Sequence, residues 1–439
     1  MNSLKPESGR QWGAALRVYL HPRVLAMLFL GFSAGLPFML VAGTLTAWLT
    51  VDGVGMAEIG MFAWVGIMYS VKFVWAPVID RMRLPLLDRW LGRRRSWMLV
   101  AQIGVGLALM GLAYSEPATD LGRFAWLAVL VSFASATQDI VIDAYRIEAV
   151  EMKVQGAMAA SYQLGYRIAL LIAGAGVLYM AQFASWQIAY QTMALLMSVG
   201  IITVLLIDEP ESSGSGVSDG GTPLKQSQPL SVWFAEAVIG PFAEFFSRNG
   251  RWAFVLLAFI GLYRVSDMVL GVMANPFYID IGFSLAEIAT VTKVFGFGVT
   301  IAGAAIGGVA VARYGVAGPL VIGAILLAVT NLFFAGLAVY GKAIWFLFIT
   351  IGADNLAAGL TGTVFIAYLS GLTNVAYTAT QYALFSSLMT LPGKIIAGFS
   401  GQIVEAVDWF VFFIYASAMG LPAILLAFIV TRHDQQSGG

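Results

Sequence analysis

Long apolar runs separated by short polar breaks fill this chain from residue 24 to residue 431. A helix needs about 20 apolar residues to cross the hydrocarbon of a bilayer. Twelve runs are long enough: 24–50, 57–79, 97–115, 123–146, 155–181 and 186–207, then 252–279, 285–311, 318–340, 343–371, 376–403 and 408–431. They far exceed the roughly ten alternating residues of a barrel strand, so the pattern predicts an all-α membrane protein with twelve transmembrane helices. One long polar insert, EPESSGSGVSDGGTPLKQSQP (209–229), lies between the sixth and seventh runs and reads as a flexible linker. LSVWFAEAVIGPFAEFFSRNGRW (230–252) follows and reads as an amphipathic helix lying at the membrane interface. The expected organisation is a six-helix bundle over 1–207, a cytoplasmic linker with its interfacial helix over 208–250, and a second six-helix bundle over 251–439.

Composition agrees with this pattern. Hydrophobic residues make up 59% of the 439 and charged residues 11%, against about 25% charged in ordinary soluble domains. The mean hydropathy of +0.84 describes more apolar surface than a soluble fold of this length has interior to hide. Formal net charge is zero and no poly-basic run stands out, so a nucleic-acid partner is not expected. With no cysteine, and His21 and His433 near the two ends, neither a disulfide nor a metal site is expected. No short apolar region with a small-residue cleavage site precedes the first run, which reads as a retained span.

The basic residues set the orientation. With both termini cytoplasmic, seventeen Lys and Arg fall on the cytoplasmic side, and Arg123 and Lys342 fall opposite. That asymmetry is a strong positive-inside signal. The halves also echo each other: AWLTVDGVGMAEIG (47–60) and NPFYIDIGFSLAEIA (275–289) each place an aromatic ten residues before the Glu of an AEI triplet. Two related bundles joined by a long loop describe the major facilitator fold.

Charges inside spans cost about 2.5–3.5 kcal/mol each on insertion scales, so each calls for a partner or a purpose. This chain has nine: Lys72, Arg167, Arg264, Lys293 and Lys394 against Asp139, Asp143, Asp267 and Asp354. The near balance suggests a shared aqueous cavity with internal pairs. Arg264 and Asp267 are three apart and can pair locally. Asp139 and Asp143 stand at i and i+4 on one helical face. Two carboxylates that close in low dielectric cannot both stay ionised comfortably, and such a pair suits a proton-coupled carrier. Three roles stay open for them: proton coupling, a fixed cluster with Arg146 and Arg167, or direct substrate contact. Lys72 and Lys293 read either as snorkelling or paired cations, or as surplus positive charge for an anionic substrate.

Trp48, Trp64, Tyr69, Tyr162, Tyr166 and Tyr263 are candidates to line a cavity and stack on sugar rings. Most aromatics of a membrane protein face lipid or interface instead. Gly35-Leu36-Pro37 is expected to kink the first span. The small residues at Gly174, Gly176 and GAAIGG (303–308) favour close helix packing. The loop DRMRLPLLDRWLGRRR (80–95) resembles the G-x-x-x-D-R-x-G-R-R signature of major facilitator transporters, opened by an insertion. By that resemblance Asp80, Arg81, Arg93 and Arg94 form a cytoplasmic gate latch; the plainer reading is a positive-inside anchor.

Longer stretches are more specific: GFSAGLPFMLVAGTLTAWL (31–49), VGIMYSVKFVWAPVIDR (65–81), SATQDIVIDAY (135–145), LGYR (164–167) and ATQYALFSSL (379–388). They resemble the AmpG-type muropeptide permeases of the major facilitator superfamily, a group that shares its QDI-x-x-D element with acetyl-CoA transporters. The resemblance implies a permease, not an enzyme, in the bacterial inner membrane. It would import N-acetylglucosaminyl-1,6-anhydro-N-acetylmuramyl peptides, driven by the proton gradient and without a cofactor. Such import serves peptidoglycan recycling and, in some bacteria, β-lactamase induction. The site residues it implies are Gln138, Asp139 and Asp143 of the fourth span, the basic positions Lys72, Arg167, Arg264 and Lys293, and Gln381. The expected partners are the muropeptide, protons and the lipid bilayer, with the chain acting as a monomer. A carrier of another amphipathic anion, such as acetyl-CoA, or a drug exporter is the alternative. No GxxxxGK[ST] phosphate loop is present, so ATP is not expected to supply the energy.

Overall fold

The computed structural model describes residues 18–150, 152–210, 240–372 and 378–437, all helix, turn or loop with no strand among them. Among the described residues eleven helices are long and apolar enough to cross a membrane: α1 (Pro22–Val51), α2 (Met56–Val74), α3 (Arg93–Ala113), α4 (Leu121–Glu148), α5 (Val154–Phe183), α6 (Trp186–Leu206), α7 (Trp252–Asp280), α8 (Leu285–Tyr314), α9 (Ala317–Tyr340), α10 (Ile344–Leu372) and, last, Trp409–His433. The other predicted run is helical too, as α11 (Thr378–Ala397) continued by Ser400–Ala406. Its Gln, Ser, Thr, Pro392 and Lys394 make it less apolar than the rest, as suits a helix at the seam between the halves. The helix Trp409–His433 is hereafter α12.

Helix pairing repeats with an offset of six. α1 packs on α5 as α7 packs on α11, α3 on α4 as α9 on α10, and α3 on α6 as α9 on α12. Glycine backbones make the tightest of these contacts. Gly31 and Gly35 of α1 lie against the backbone of Tyr162 and Tyr166 in α5, and Gly165 of α5 lies against Leu28 and Phe32. In the second half, Gly303 and Gly307 of α8 lie on Leu356 and Leu360 of α10. In lipid the hydrophobic effect does not drive helices together, so such close approach does much of the holding.

The halves meet through α1–α7, α2–α11 and α5–α8. Side chains close this seam at the end of the bundle opposite the termini. Glu405, after α11, accepts from the Ala57 amide at the start of α2 at 2.9 Å. In the related position Gln182, at the end of α5, accepts from the Leu285 amide at the start of α8 at 3.0 Å. Each half thereby caps a free helix N-terminus of the other. Gly60 and Gly401 bring α2 and the α11 continuation into backbone contact, and Tyr179 shares a 2.6 Å hydrogen bond with Thr290. The first and last described helical residues, Val18 and Ser437, and the arginine loop lie at the other end.

Two expectations change. The kink of α1 falls after Pro37, where the helix stops at Leu40 and restarts at Gly43. A break within lipid frees carbonyls that need donors: Tyr190 Oη donates to Leu40 O at 2.8 Å, and the Asn275 amide donates to Gly43 O. The interfacial helix is described over Gly240–Asn249, and its Phe245 is fully buried against Phe385 of the second half. The linker preceding it lies outside the described residues.

The gate motif holds one half together. Arg94 pairs with Glu148 at the end of α4 at 2.6 Å, while the amides of Arg94 and Arg95 donate to the Glu209 carboxylate at 2.7 and 3.0 Å. Glu209 thus caps the start of α3, where the helix dipole favours an anion. All four residues belong to the first half, so this tie joins α3, α4 and the end of α6 and not the two halves. Arg93 also has interactions, and the side chains of Asp80 and Arg81 lie outside the described residues. Glu209→Gln, which keeps the shape and removes the charge, is expected to cost about 1 kcal/mol, read as a small fall in thermal unfolding temperature in detergent.

Candidate functional site

A cavity of about 430 Å³ lies between the halves. Its walls follow from local irregularities in the helices. The break in α1 exposes Ala42 and Gly43, and the mixed α and 3-10 course of α2 presents Gly66 and Tyr69. From the second half come Asp267 of α7, Lys293 of α8 and Lys394 of α11. Lys293 sits on a π-helical turn, Ala289–Phe295, that meets a second π turn in α5, Ile172–Gly176. Such turns are concentrated at functional sites.

Most membrane charges have partners. Lys72 lies 3.8 Å from Asp139, whose side chain is 13% exposed. Asp143 is 46% exposed and takes Arg146, three residues on, at 3.3 Å. The two aspartates therefore share a helix face without sharing a cation, and Arg167 is exposed without an ion pair among the described residues. The fixed cluster with both arginines is not formed; Arg146 serves Asp143 alone. One carboxylate oxygen of Asp139 has no hydrogen-bond partner among the described residues. Tyr69 connects this pair to the cavity: it lines the wall, and its hydroxyl lies close to Ser135 and Ser132 and within electrostatic reach of Asp139. Tyr162 and Tyr166, rings 6.0 Å apart, flank the same aspartate. In the second half Arg264 and Asp267 make a close ion pair, with Asp354 of α10 within electrostatic reach of both.

Several nominated residues are not on the cavity wall: Tyr263 is buried and donates to Leu320 O at 2.8 Å, Trp64 donates its indole N–H to Ile395 O at 3.1 Å, and Trp48 and Gln138 lie in the interior of the first half. Trp48 is 4% exposed, stacked on Trp186 and packed against Tyr190, and donates its indole N–H to Asp52 at 3.1 Å. It is core and not cavity wall, because the break in α1 turns the helix after Gly43. Gln138 is fully buried behind α1 and accepts from Ser33 Oγ at 3.4 Å, so it belongs to the interior of the first half. The Gln381 side chain lies outside the described residues. Sequence reasoning counted Lys394 as a buried charge without nominating it, and missed Ser70, Thr390 and Asn275. The sequence signal was a lysine two residues after a proline in an apolar run, whose partner lies over 300 residues away.

Comparison with known proteins decides the family. The description "Major Facilitator Superfamily" matches residues 27–274. The "Anhydromuropeptide permease" of Escherichia coli K12 is 34% identical over 416 residues, 94% of this chain and 81% of that protein. The chain belongs to the major facilitator superfamily, with the AmpG-type permeases. The "Putative transporter AmpG 4" of Rickettsia conorii is 31% identical over 93% of this chain and 97% of its own. A solved D-xylose-proton symporter superposes with a TM-score of 0.67 over 93% of this chain and 97% of its own, at 12% identity, which shows the fold. As a major facilitator, the protein is a multi-pass membrane transporter, and its between-halves cavity is the place where such folds hold their cargo.

Proposed function

We propose that the protein imports anhydromuropeptides across the bacterial inner membrane together with protons, by alternating access. The observation that carries this reading is the 34% identity to an anhydromuropeptide permease across 94% of the chain. The geometry suits the cargo: a sugar with a carboxylate-bearing peptide fits a cavity with an aromatic wall and unbalanced lysines. With both termini cytoplasmic, the seam closed by Glu405 and Gln182 is the periplasmic mouth, and the chain is in the state that releases cargo inward. Asp139 is the proton carrier in this proposal and Lys72 its counter-charge; the protein works as a monomer and without a cofactor.

The test is uptake of labelled anhydromuropeptide into proteoliposomes under an imposed inward proton gradient. Accumulation should follow the gradient, vanish with an uncoupler, and yield to unlabelled muropeptide but not to acetyl-CoA. Uptake that ignores the gradient would remove the proton coupling, and competition by acetyl-CoA alone would change the cargo.

A further inference from the structure

Two ammonium groups in the cavity have no acid. Lys72 has Asp139 and Arg264 has Asp267, but among the described residues no carboxylate pairs with Lys293 or Lys394. Asp267, the carboxylate that shares the wall, is already held by Arg264. Cations are expensive at this depth, and those kept without an internal partner mark a pathway for something charged.

The two lysines differ in what they do meanwhile. The stem of Lys293 lies along Gly174 of α5, where an added Cβ would meet Lys293 Cδ at 3.5 Å, and its ammonium has no hydrogen-bond partner among the described residues. Lys394 instead reaches across the seam, donating to Gly66 O at 2.7 Å and Ser70 Oγ at 2.8 Å, both in α2. Ser70 Oγ is also 2.7 Å from Thr390 Oγ1, one turn before Lys394. Lys394, Thr390 and Ser70 therefore tie α11 to α2 across the seam beside the cavity. The tie is weak by the standard of its chemistry: a neutral carbonyl and a hydroxyl hold an ammonium less tightly than a carboxylate does. Lys72 lies near enough for the two like charges to repel.

We propose that Lys293 and Lys394 form a seat for a carboxylate of the cargo's peptide, and that filling it draws Lys394 off Gly66 and Ser70. Binding of the right anion would then undo the cross-half tie and loosen the mouth. A ligand that offers no carboxylate gains neither lysine and leaves the tie in place, so one pair of residues supplies both selection and coupling. The proposal rests on the muropeptide reading and adds which group of the cargo is read, and by what.

Two measurements test it. The first is affinity of the purified protein for the anhydromuropeptide and for the same compound with its peptide carboxylates amidated. The free acid should bind about tenfold tighter or more, a difference of one decade in Kd, and Lys293→Met and Lys394→Met should each shrink that preference. The second uses the absence of native cysteines. Ala63→Cys places a reporter on the cavity wall, and an impermeant maleimide applied from the periplasmic face reads the opening of the mouth. Free-acid cargo should speed labelling while the amidated compound does not, and Lys394→Met should speed it without cargo. Ser70→Ala, a milder lesion of the same tie, should do likewise if Lys394→Met fails to fold. Equal affinity for acid and amide overturns the seat, and unchanged labelling in both variants overturns the tie. If neither compound binds, the muropeptide reading itself falls and takes the seat with it.

Discussion

Proteoliposomes carrying Asp139→Asn are expected to lose gradient-driven accumulation while still letting muropeptide equilibrate. One pH unit is worth about 1.4 kcal/mol per proton, or about tenfold accumulation, so the accumulation ratio should fall from about tenfold per pH unit to one. The single substitution also leaves Lys72 without its anion at 3.8 Å; with Lys72 33% exposed the pair is only partly buried, and its loss costs less than the about 3–5 kcal/mol of a fully buried one. Asp139→Asn combined with Lys72→Met separates the effects: neutral on both sides, it should regain much of the stability and none of the accumulation. Asp143→Asn should keep accumulation, because that carboxylate is half-exposed and held by its helix neighbour Arg146. If the double variant still concentrates cargo against its gradient, the proton belongs to another group.

Gly165→Leu is expected to abolish folded protein. A Cβ there would already overlap the backbone of Leu28 and Phe32 in α1, which cannot rotate aside as a side chain can. Overpacking a core costs about 1–3 kcal/mol even where side chains can adjust, and stability as a whole is about 5–15 kcal/mol. Gly31 and Gly35 meet α5 from the other side, so the α1–α5 pair has no slack in either direction. The same substitution at Gly156, earlier on α5, meets nothing within 4 Å and should be tolerated. Size-exclusion profiles in mild detergent would separate the two: a sharp peak for Gly156→Leu, aggregate or no protein for Gly165→Leu. A monodisperse, thermally normal Gly165→Leu variant would mean that α1 and α5 do not pack as described.

Local rules carried much of the fold and one of the ion pairs beside the cavity. The Arg264–Asp267 pair at i, i+3 was legible because helix geometry alone brings such residues together. Lys72 and Lys293 were legible as charges that lipid does not tolerate without cause. Trp48 was not, since whether an aromatic faces a cavity or a core depends on which way α1 turns after its break. That Asp139 pairs with Lys72 while the more exposed Asp143 pairs with Arg146 was not legible either, because equal spacing on a helix says nothing of depth. Arg94 stands in the predicted latch motif, and its contacts with Glu148 and Glu209, far apart in the chain, were not legible from the motif.

By itself the sequence determined the helical, membrane-spanning nature of the long apolar runs and the family. Bilayer thickness and backbone hydrogen bonding in lipid leave few alternatives to a run of twenty apolar residues. Tertiary structure alone decided which charges are paired and which are spare. Lys394 meets Gly66 and Ser70, and Lys72 meets Asp139, across separations that no periodicity encodes. A side chain's electrostatic role follows from what stands within a few ångströms of it, and only the packing of helices brings those neighbours together.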